Sequence, residues 1–218
     1  MKKVAFFHTT LNTPVQMKEE FTKRYPGVQL ITMVEDGVLP EIVANQNEHT
    51  PGLVKRLIEY GAMAQSMGAC VIVDMCTTLG IAVREAQKAL EIPFITIDGP
   101  MLKQAVMTGK RVALLVTAQT TLKASSAAAY ATARDCGRDV VIDTILVEGA
   151  FDALNVEHDK EKHNLIIANA VREAAQTHDV VALGQVTMAD SAALCGDVTV
   201  PVLTSIKPGI EQLEQYLK

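Results

Sequence analysis

Cys76 is the residue in this sequence best placed for acid, base or nucleophilic chemistry. It follows the apolar segment ACVIVDM and precedes Thr77, Thr78 and a segment with helical spacing. Free backbone N–H groups and the helix dipole at a helix start stabilise a thiolate and lower its pKa. We therefore expect Cys76 to be a catalytic thiol with a pKa below the ~8.5 of a free cysteine. The alternative is a small buried core residue, the more common role for a cysteine after an apolar strand.

His8 is the second catalytic candidate because it ends the first apolar segment, VAFF. In a strand order 2-1-3-4 that strand would lie beside the strand before Cys76, and a cysteine–histidine pair is a common way to hold a thiolate. The alternative is a histidine that caps the sheet edge or donates a hydrogen bond to substrate. The remaining histidines show no metal-ligand spacing, so we predict no metal site.

Hydroxyl-rich segments follow several apolar strands and predict a site for a small carboxylate. HTTLNTP follows the first strand, with Thr13 and Pro14 as a helix start and Gln16 as capping partner, and TAQTT opens a helix at Thr120 or Thr121. Helix starts favour anions, although capping alone is the ordinary role of such residues. The predicted substrate-binding residues are Thr9, Thr10, Asn12, Thr77, Thr78, Thr117, Gln119, Thr120, Gln185 and Thr187.

The elements that would position these residues form an α/β pattern. Continuous apolar segments such as ACVIVDM and RVALLV alternate along the chain with segments of helical spacing. Continuous apolar strands separated by helices are typical of a parallel sheet covered on both faces. Ligands of such sheets bind beyond the carboxyl ends of the strands, where the candidate residues lie.

The sequence also repeats itself. Residues 2–9 align with residues 110–117 at an offset of 108, and residues 93–96 align with 201–204. We predict two similar four-stranded α/β halves related by pseudo-twofold symmetry with a cleft between them. The first half covers residues 1–98, with a helix at 207–218 that could pack on it, and the second half covers residues 99–206.

Two glutamates occupy matching strand ends in this alignment, Glu35 in the first half and Glu148 in the second. Acidic residues at exposed strand ends are most often surface charges or loop anchors. We expect that role for both residues, and a position at the cleft mouth is the alternative.

The composition excludes several classes of protein. Stretches without charged residues reach at most 14 residues, which is shorter than the ~20 of a membrane-spanning helix. The net charge of -5 and the scattered lysines and arginines argue against nucleic-acid binding, and no GxGxxG or P-loop motif occurs. The four cysteines show no CxxC spacing. We expect a cytoplasmic protein whose partners are small molecules.

The duplicated halves, the Cys76-Thr77 step, the TAQTT segment and the LGQ-x-T-M segment together resemble the Asp/Glu racemase superfamily. That superfamily includes aspartate, glutamate and hydantoin racemases, maleate isomerase and arylmalonate decarboxylase. The resemblance covers nearly the whole chain. It implies chemistry without a cofactor next to a carboxylate, with one cysteine from each half, and it suggests a homodimer.

The second cysteine that the resemblance implies is replaced by Gln185, which aligns with Cys76 at an offset of 109. Two-base racemisation needs an acid–base group on each face of the substrate, and an amide cannot serve as one. We therefore expect decarboxylase, lyase or isomerase chemistry on a small acid or amino acid through a single cysteine and an enolate-like intermediate. The alternatives are a true racemase with another second base and a protein that binds carboxylates without turnover.

Overall fold

The computed structural model describes all 218 residues. The contacts of the chain define two compact units. The N-terminal unit comprises Met1–Ile97 together with Ile206–Lys218, and the C-terminal unit comprises Asp98–Ser205.

The N-terminal unit is built on a four-stranded parallel sheet with strand order β2-β1-β3-β4. The predicted order 2-1-3-4 is confirmed. The central strands β1 and β3 are almost wholly buried because helices cover both faces of the sheet, as their continuous apolar sequences predict. The strands are β1 (Lys3–His8), β2 (Gln29–Val34), β3 (Ala69–Asp74) and β4 (Phe94–Thr96), and the helices are α1 (Pro14–Arg24), α2 (Val38–Ala44), α3 (Pro51–Ser66) and α4 (Gly80–Gln87), with a 3₁₀ turn at Thr77–Leu79.

The C-terminal unit repeats this arrangement, with all-parallel strand order β6-β5-β7-β8. The prediction of two four-stranded α/β sheets is therefore confirmed. Its elements are α5 (Gly99–Thr108), β5 (Arg111–Val116), α6 (Gln119–Asp135), β6 (Val141–Leu146), α7 (Ala150–Asn155), α8 (Lys160–Ala174), β7 (Val180–Leu183), a 3₁₀ segment at Val186–Leu194 and β8 (Val202–Leu203). No helix in the structure combines the length and the apolar character that crossing a membrane requires.

Side chains of β1 alternate between two different cores. Ala5 and Phe7 pack in a cluster with Leu57 of α3, whereas the Phe6 ring lies 5.2 Å from the ring of Phe21 on α1. Burying each phenylalanine contributes about 2 kcal/mol. Because successive strand residues point to opposite faces, neighbouring residues at the strand end are also directed apart.

The C-terminal segment, which contains α9 (Ile206–Glu211) and a 3₁₀ turn at Gln212–Gln215, packs on the N-terminal unit. The Tyr25 hydroxyl donates to the carbonyl of Ile210 at 3.2 Å, and the Gln212 amide donates to the carbonyl of Thr96 at 3.1 Å. Gly209 permits this close approach, because a Cβ there would lie 2.3 Å from the carbonyl oxygen of Ile97.

The helix starts near the candidate residues differ in detail from the sequence-based expectation. α1 begins at Pro14 after Thr13, as predicted, but the Thr13 side chain makes no capping bond. α6 begins at Gln119, earlier than the predicted start at Thr120 or Thr121. The Thr13 hydroxyl instead contacts His8, one of the two catalytic candidates.

Candidate active site

Cys76 lies directly beyond β3, at the position before the 3₁₀ turn that leads into α4. Its backbone N–H donates to Oδ1 of Asp74 at 3.0 Å, and its carbonyl accepts from the N–H of Leu79 at 2.9 Å. These two bonds fix the residue at the carboxyl end of a parallel strand, where ligands of α/β sheets bind.

The register between β1 and β3 determines the partners of the thiol. Phe7 lies opposite Asp74, so Thr9 lies opposite Cys76 two residues further along both strands. The thiol is hydrogen-bonded by the side chain of Thr9 and by the backbone and side chain of Thr78. Thr9 and Thr78 are both buried, so packing in the N-terminal unit fixes the side chains that contact the thiol.

The pKa of Cys76 is raised to about 12, first by burial and second by the charge of Asp74. The hydrogen bonds from Thr9 and Thr78 act in the opposite direction but are weaker. The sequence-based expectation of a lowered pKa is therefore wrong. The helix start is present, but a buried thiol beside a carboxylate favours its neutral form. At neutral pH Cys76 carries its proton.

His8 does not form the expected pair with Cys76. Its Nδ1 lies 2.9 Å from the Thr13 hydroxyl, its ring packs against Phe6 at 6.3 Å, and Nε2 is buried without a partner. The physical reason is strand alternation, because Thr9 and not His8 shares the sheet face of Cys76. Burial lowers the pKa of His8 to about 4. His8 is thus a buried, neutral residue that contacts Thr13 at the start of α1, and its catalytic role stays a prediction.

The C-terminal unit places Gln185 at the position that Cys76 occupies in the N-terminal unit. Leu115 lies opposite Leu183, so Thr117 lies opposite Gln185 two residues further along. Oε1 of Gln185 accepts from the backbone N–H of Thr117 at 2.6 Å and from its hydroxyl at 2.9 Å. The backbone donor fixes the orientation of the amide, so the NH₂ end points away from Thr117.

Glycine at position 184 allows this strand end to form. A Cβ on Gly184 would lie 2.9 Å from the carbonyl oxygen of Leu115, which is closer than real Cβ atoms approach a neighbouring atom. The N–H of Gly184 donates to the same carbonyl at 2.8 Å. The tight approach of β7 to β5 brings Gln185 next to Thr117.

The structure brings together Thr9, Thr78 and Cys76 in the N-terminal unit, and Thr117 and Gln185 in the C-terminal unit. The other predicted binding residues lie in the loops and turns that neighbour these clusters. Thr10 and Asn12 lie between β1 and α1, Thr77 is buried in the 3₁₀ turn, Gln119 and Thr120 lie in the first turn of α6, and Thr187 is half-buried in the 3₁₀ segment after Gln185. Their role in binding stays a prediction.

Asp74 is the residue of this cluster that sequence reasoning missed. It is the only charged residue in the apolar segment before Cys76, and its spacing of two residues places it on the same sheet face as the thiol. Those two signals were present in the sequence and could have identified it.

The two strand-end glutamates have different surroundings. Oε1 of Glu35 lies 3.0 Å from Nη1 of Arg56 on α3, and Nη2 of the same arginine binds Glu41. Glu35 therefore anchors α3 to the end of β2. Glu148 lines a cavity of about 520 Å³ beside β6 and α8, together with Ile145, Ile166 and His178. No group of three or more His, Cys, Asp or Glu side chains is placed to hold a metal ion.

Comparison with known proteins agrees with this arrangement of strands. Residues 8–213 match the Asp/Glu/Hydantoin racemase family. The chain therefore belongs to the Asp/Glu/hydantoin racemase family, as its sequence indicated. No curated protein matches the sequence.

Solved structures confirm the fold. An aspartate racemase from Picrophilus torridus superposes with a TM-score of 0.74 at 15% identity, covering 100% of this chain and 95% of that one. A glutamate racemase from Aquifex pyrophilus gives 0.69 at 17% identity, covering 99% and 84%. An unliganded arylmalonate decarboxylase gives 0.59 at 14% identity, covering 99% and 93%. At these identities the likeness concerns the fold.

Proposed function

We propose that this protein is a cofactor-independent enzyme that reacts next to the carboxylate of a small acid or amino acid, with Cys76 as its single acid–base group. The observation that carries the proposal is the Gln185 amide at the strand-end position that corresponds to Cys76. Membership of the racemase family supports an enzyme of racemase, isomerase or decarboxylase type.

A single thiol limits the reaction to proton transfer on one face. Racemisation through two bases removes a proton from one face and delivers another to the opposite face, and the Gln185 amide can do neither. A carbon acid with one such group can undergo decarboxylation, another lyase reaction or isomerisation through an enolate-like intermediate. We therefore favour lyase or isomerase chemistry over racemisation.

Hydrogen-bond donors around the two strand ends suit a negatively charged substrate. The NH₂ end of Gln185 can donate to a carboxylate or enolate oxygen, and the hydroxyls of Thr9 and Thr78 already donate to the thiol. Preorganised donors of this type stabilise charge that develops on oxygen in the transition state. Binding of one carboxylate by residues of both units stays a prediction, as do the homodimer and the cytoplasmic location.

An NMR screen in D₂O tests the proposal. Candidate amino acids, malonates and unsaturated diacids are incubated with the wild type, Cys76→Ala and Cys136→Ala. We expect deuterium incorporation or product formation with the wild type and Cys136→Ala, and none with Cys76→Ala. Turnover that survives Cys76→Ala would contradict the proposal, and so would inversion of an α-centre by the wild type at a rate comparable to exchange.

A carboxylate-binding protein without turnover is the second candidate. The raised pKa of Cys76 favours it, because a thiol used only for packing or binding has no need of a low pKa. Ligand-induced shifts in protein NMR spectra without any change in the ligand, over the same panel of acids, would support this candidate over the enzyme.

A further inference from the structure

Asp74 is a buried carboxylate in a strand that is otherwise apolar. Its exposed fraction is 1%, and the rest of β3 reads ACVIV. Burying a carboxylate is unfavourable unless hydrogen bonds compensate for lost hydration, so a charged residue at this place calls for a physical explanation.

Geometry connects Asp74 directly to Cys76. Oδ1 of Asp74 accepts from the backbone N–H of Cys76 at 3.0 Å, and the two side chains share one face of the sheet. The C-terminal unit has Leu183 at the register position of Asp74, followed by Gln185 at the position of Cys76. The carboxylate thus occurs in the unit that has the thiol and is absent at the same place in the unit that lacks it.

We propose that Asp74 is a positioning residue that fixes the Cys76 backbone and keeps the thiol protonated, so that Cys76 delivers a proton to substrate and does not remove one. The catalytic consequence rests on the proposed function, whereas the state of the thiol can be measured without a substrate.

The charge of Asp74 explains why the Cys76 thiol keeps its proton. A thiolate at position 76 would place a second negative charge close to the Asp74 carboxylate in a buried site, where charges are poorly screened. Burial and Asp74 both raise the pKa of Cys76, which agrees with the geometry. Other titratable groups of the N-terminal unit include His8 on β1, His49, whose Nε2 lies 2.9 Å from the carbonyl oxygen of Thr78, and Glu35, Arg56 and Tyr60 at the end of β2 and on α3. Of the charged groups, Asp74 is the one whose charge shifts the pKa of Cys76.

The test compares Asp74→Asn with wild type in the pH dependence of Cys76 alkylation by iodoacetamide, followed by mass spectrometry. Asparagine keeps an acceptor for the Cys76 N–H and removes the charge. We expect the alkylation profile of the variant to move to lower pH, and a pKa lowered by one would raise the thiolate fraction and the alkylation rate at a fixed pH about tenfold. Asp179→Asn is the matched control, because Asp179 also accepts backbone N–H bonds, at 2.8 and 2.9 Å, but lies in the C-terminal unit.

Identical profiles for wild type and Asp74→Asn would overturn the proposal. If Asp74→Asn does not fold, as judged by circular dichroism, Asp74→Ser is measured by the same criterion. The wild type provides an independent test, because a Cys76 that titrates at or below the ~8.5 of a free cysteine also overturns the proposal.

Turnover separates this inference from the proposed function. A shifted profile without turnover of any acid in the D₂O screen would contradict the proposed function and leave the role of Asp74 standing. Turnover that depends on Cys76, together with an unshifted alkylation profile, would contradict the role of Asp74 and leave the proposed function standing.

Discussion

Gln185 accepts two hydrogen bonds from Thr117, one from the backbone N–H at 2.6 Å and one from the hydroxyl at 2.9 Å. The same register position in the N-terminal unit pairs Thr9 with Cys76. The two strand ends therefore share a backbone arrangement and a threonine, and they differ in the group that the threonine holds. One unit presents a thiol and the other an amide.

Restoring a thiol in the C-terminal unit tests whether this difference limits the reaction. We expect Gln185→Cys to add a second acid–base group and to give detectable racemisation of an α-substituted acid that the wild type does not invert. The gain is expected to be small, because misplacement by ~1 Å can cost about two orders of magnitude in rate. Chiral chromatography of the reaction products measures it.

The matched control for this experiment is Gln185→Cys combined with Cys76→Ala. It should be inactive in racemisation, because a single thiol is again left. Inversion by the double variant would show that Cys76 is not one of the two acid–base groups.

Thr9 should affect the thiol in the direction opposite to Asp74. The Thr9 hydroxyl bond to Cys76 lowers the pKa of the thiol, so Thr9→Val should raise that pKa further and slow alkylation at alkaline pH. Iodoacetamide labelling rates across pH provide the measurement. Thr117→Val, which removes the equivalent hydroxyl from the other unit, should leave the Cys76 profile unchanged and cost about 1 kcal/mol of stability.

His8 should make the protein less stable as the pH falls from about 6.5 towards 4. Burial lowers its pKa to about 4 from the ordinary 6.5, so in this window the unfolded chain binds a proton that the folded chain does not. The difference corresponds to at most about 3 kcal/mol of lost stability, reached near pH 4. Urea unfolding at several pH values should show a smaller slope of stability against pH for His8→Gln.

The matched control for the acid-stability experiment is His158→Gln, in the loop before α8, where the exposed side chain should leave the slope unchanged. A slope equal in His8→Gln and wild type would mean that folding does not lower the pKa of His8.

The order in which iodoacetamide labels the cysteines should reflect the raised pKa of Cys76 and not the lowered pKa expected from the sequence. Cys70 and Cys136 are partly exposed, whereas burial raises the pKa of both the Cys76 and the Cys195 thiols. We expect iodoacetamide to modify Cys70 and Cys136 before Cys76 and Cys195 at neutral pH, because alkylation requires the thiolate. Peptide mass spectrometry over a time course decides the order, and Cys76 labelled first would contradict the raised pKa.

Much of the fold was determined by local sequence. Continuous apolar strands, helical spacing between them and the repeat of residues 2–9 at 110–117 are properties of short segments, and they predicted both four-stranded sheets and the placement of Cys76 beyond a strand. The alignment of Gln185 with Cys76 also followed from the repeat.

The tertiary structure decided which side chains meet and in which charge state. Strand periodicity directs the side chains of His8 and Thr9 to opposite faces of the sheet. Only the hydrogen-bond register between β1 and β3, strands more than 60 positions apart in the sequence, places Thr9 beside Cys76. The same register leaves His8 in contact with Thr13. The pKa of Cys76 likewise depends on burial and on the nearby Asp74 charge. A helix start can be found from sequence, whereas desolvation depends on every element packed around the thiol, and here it outweighs the helix start.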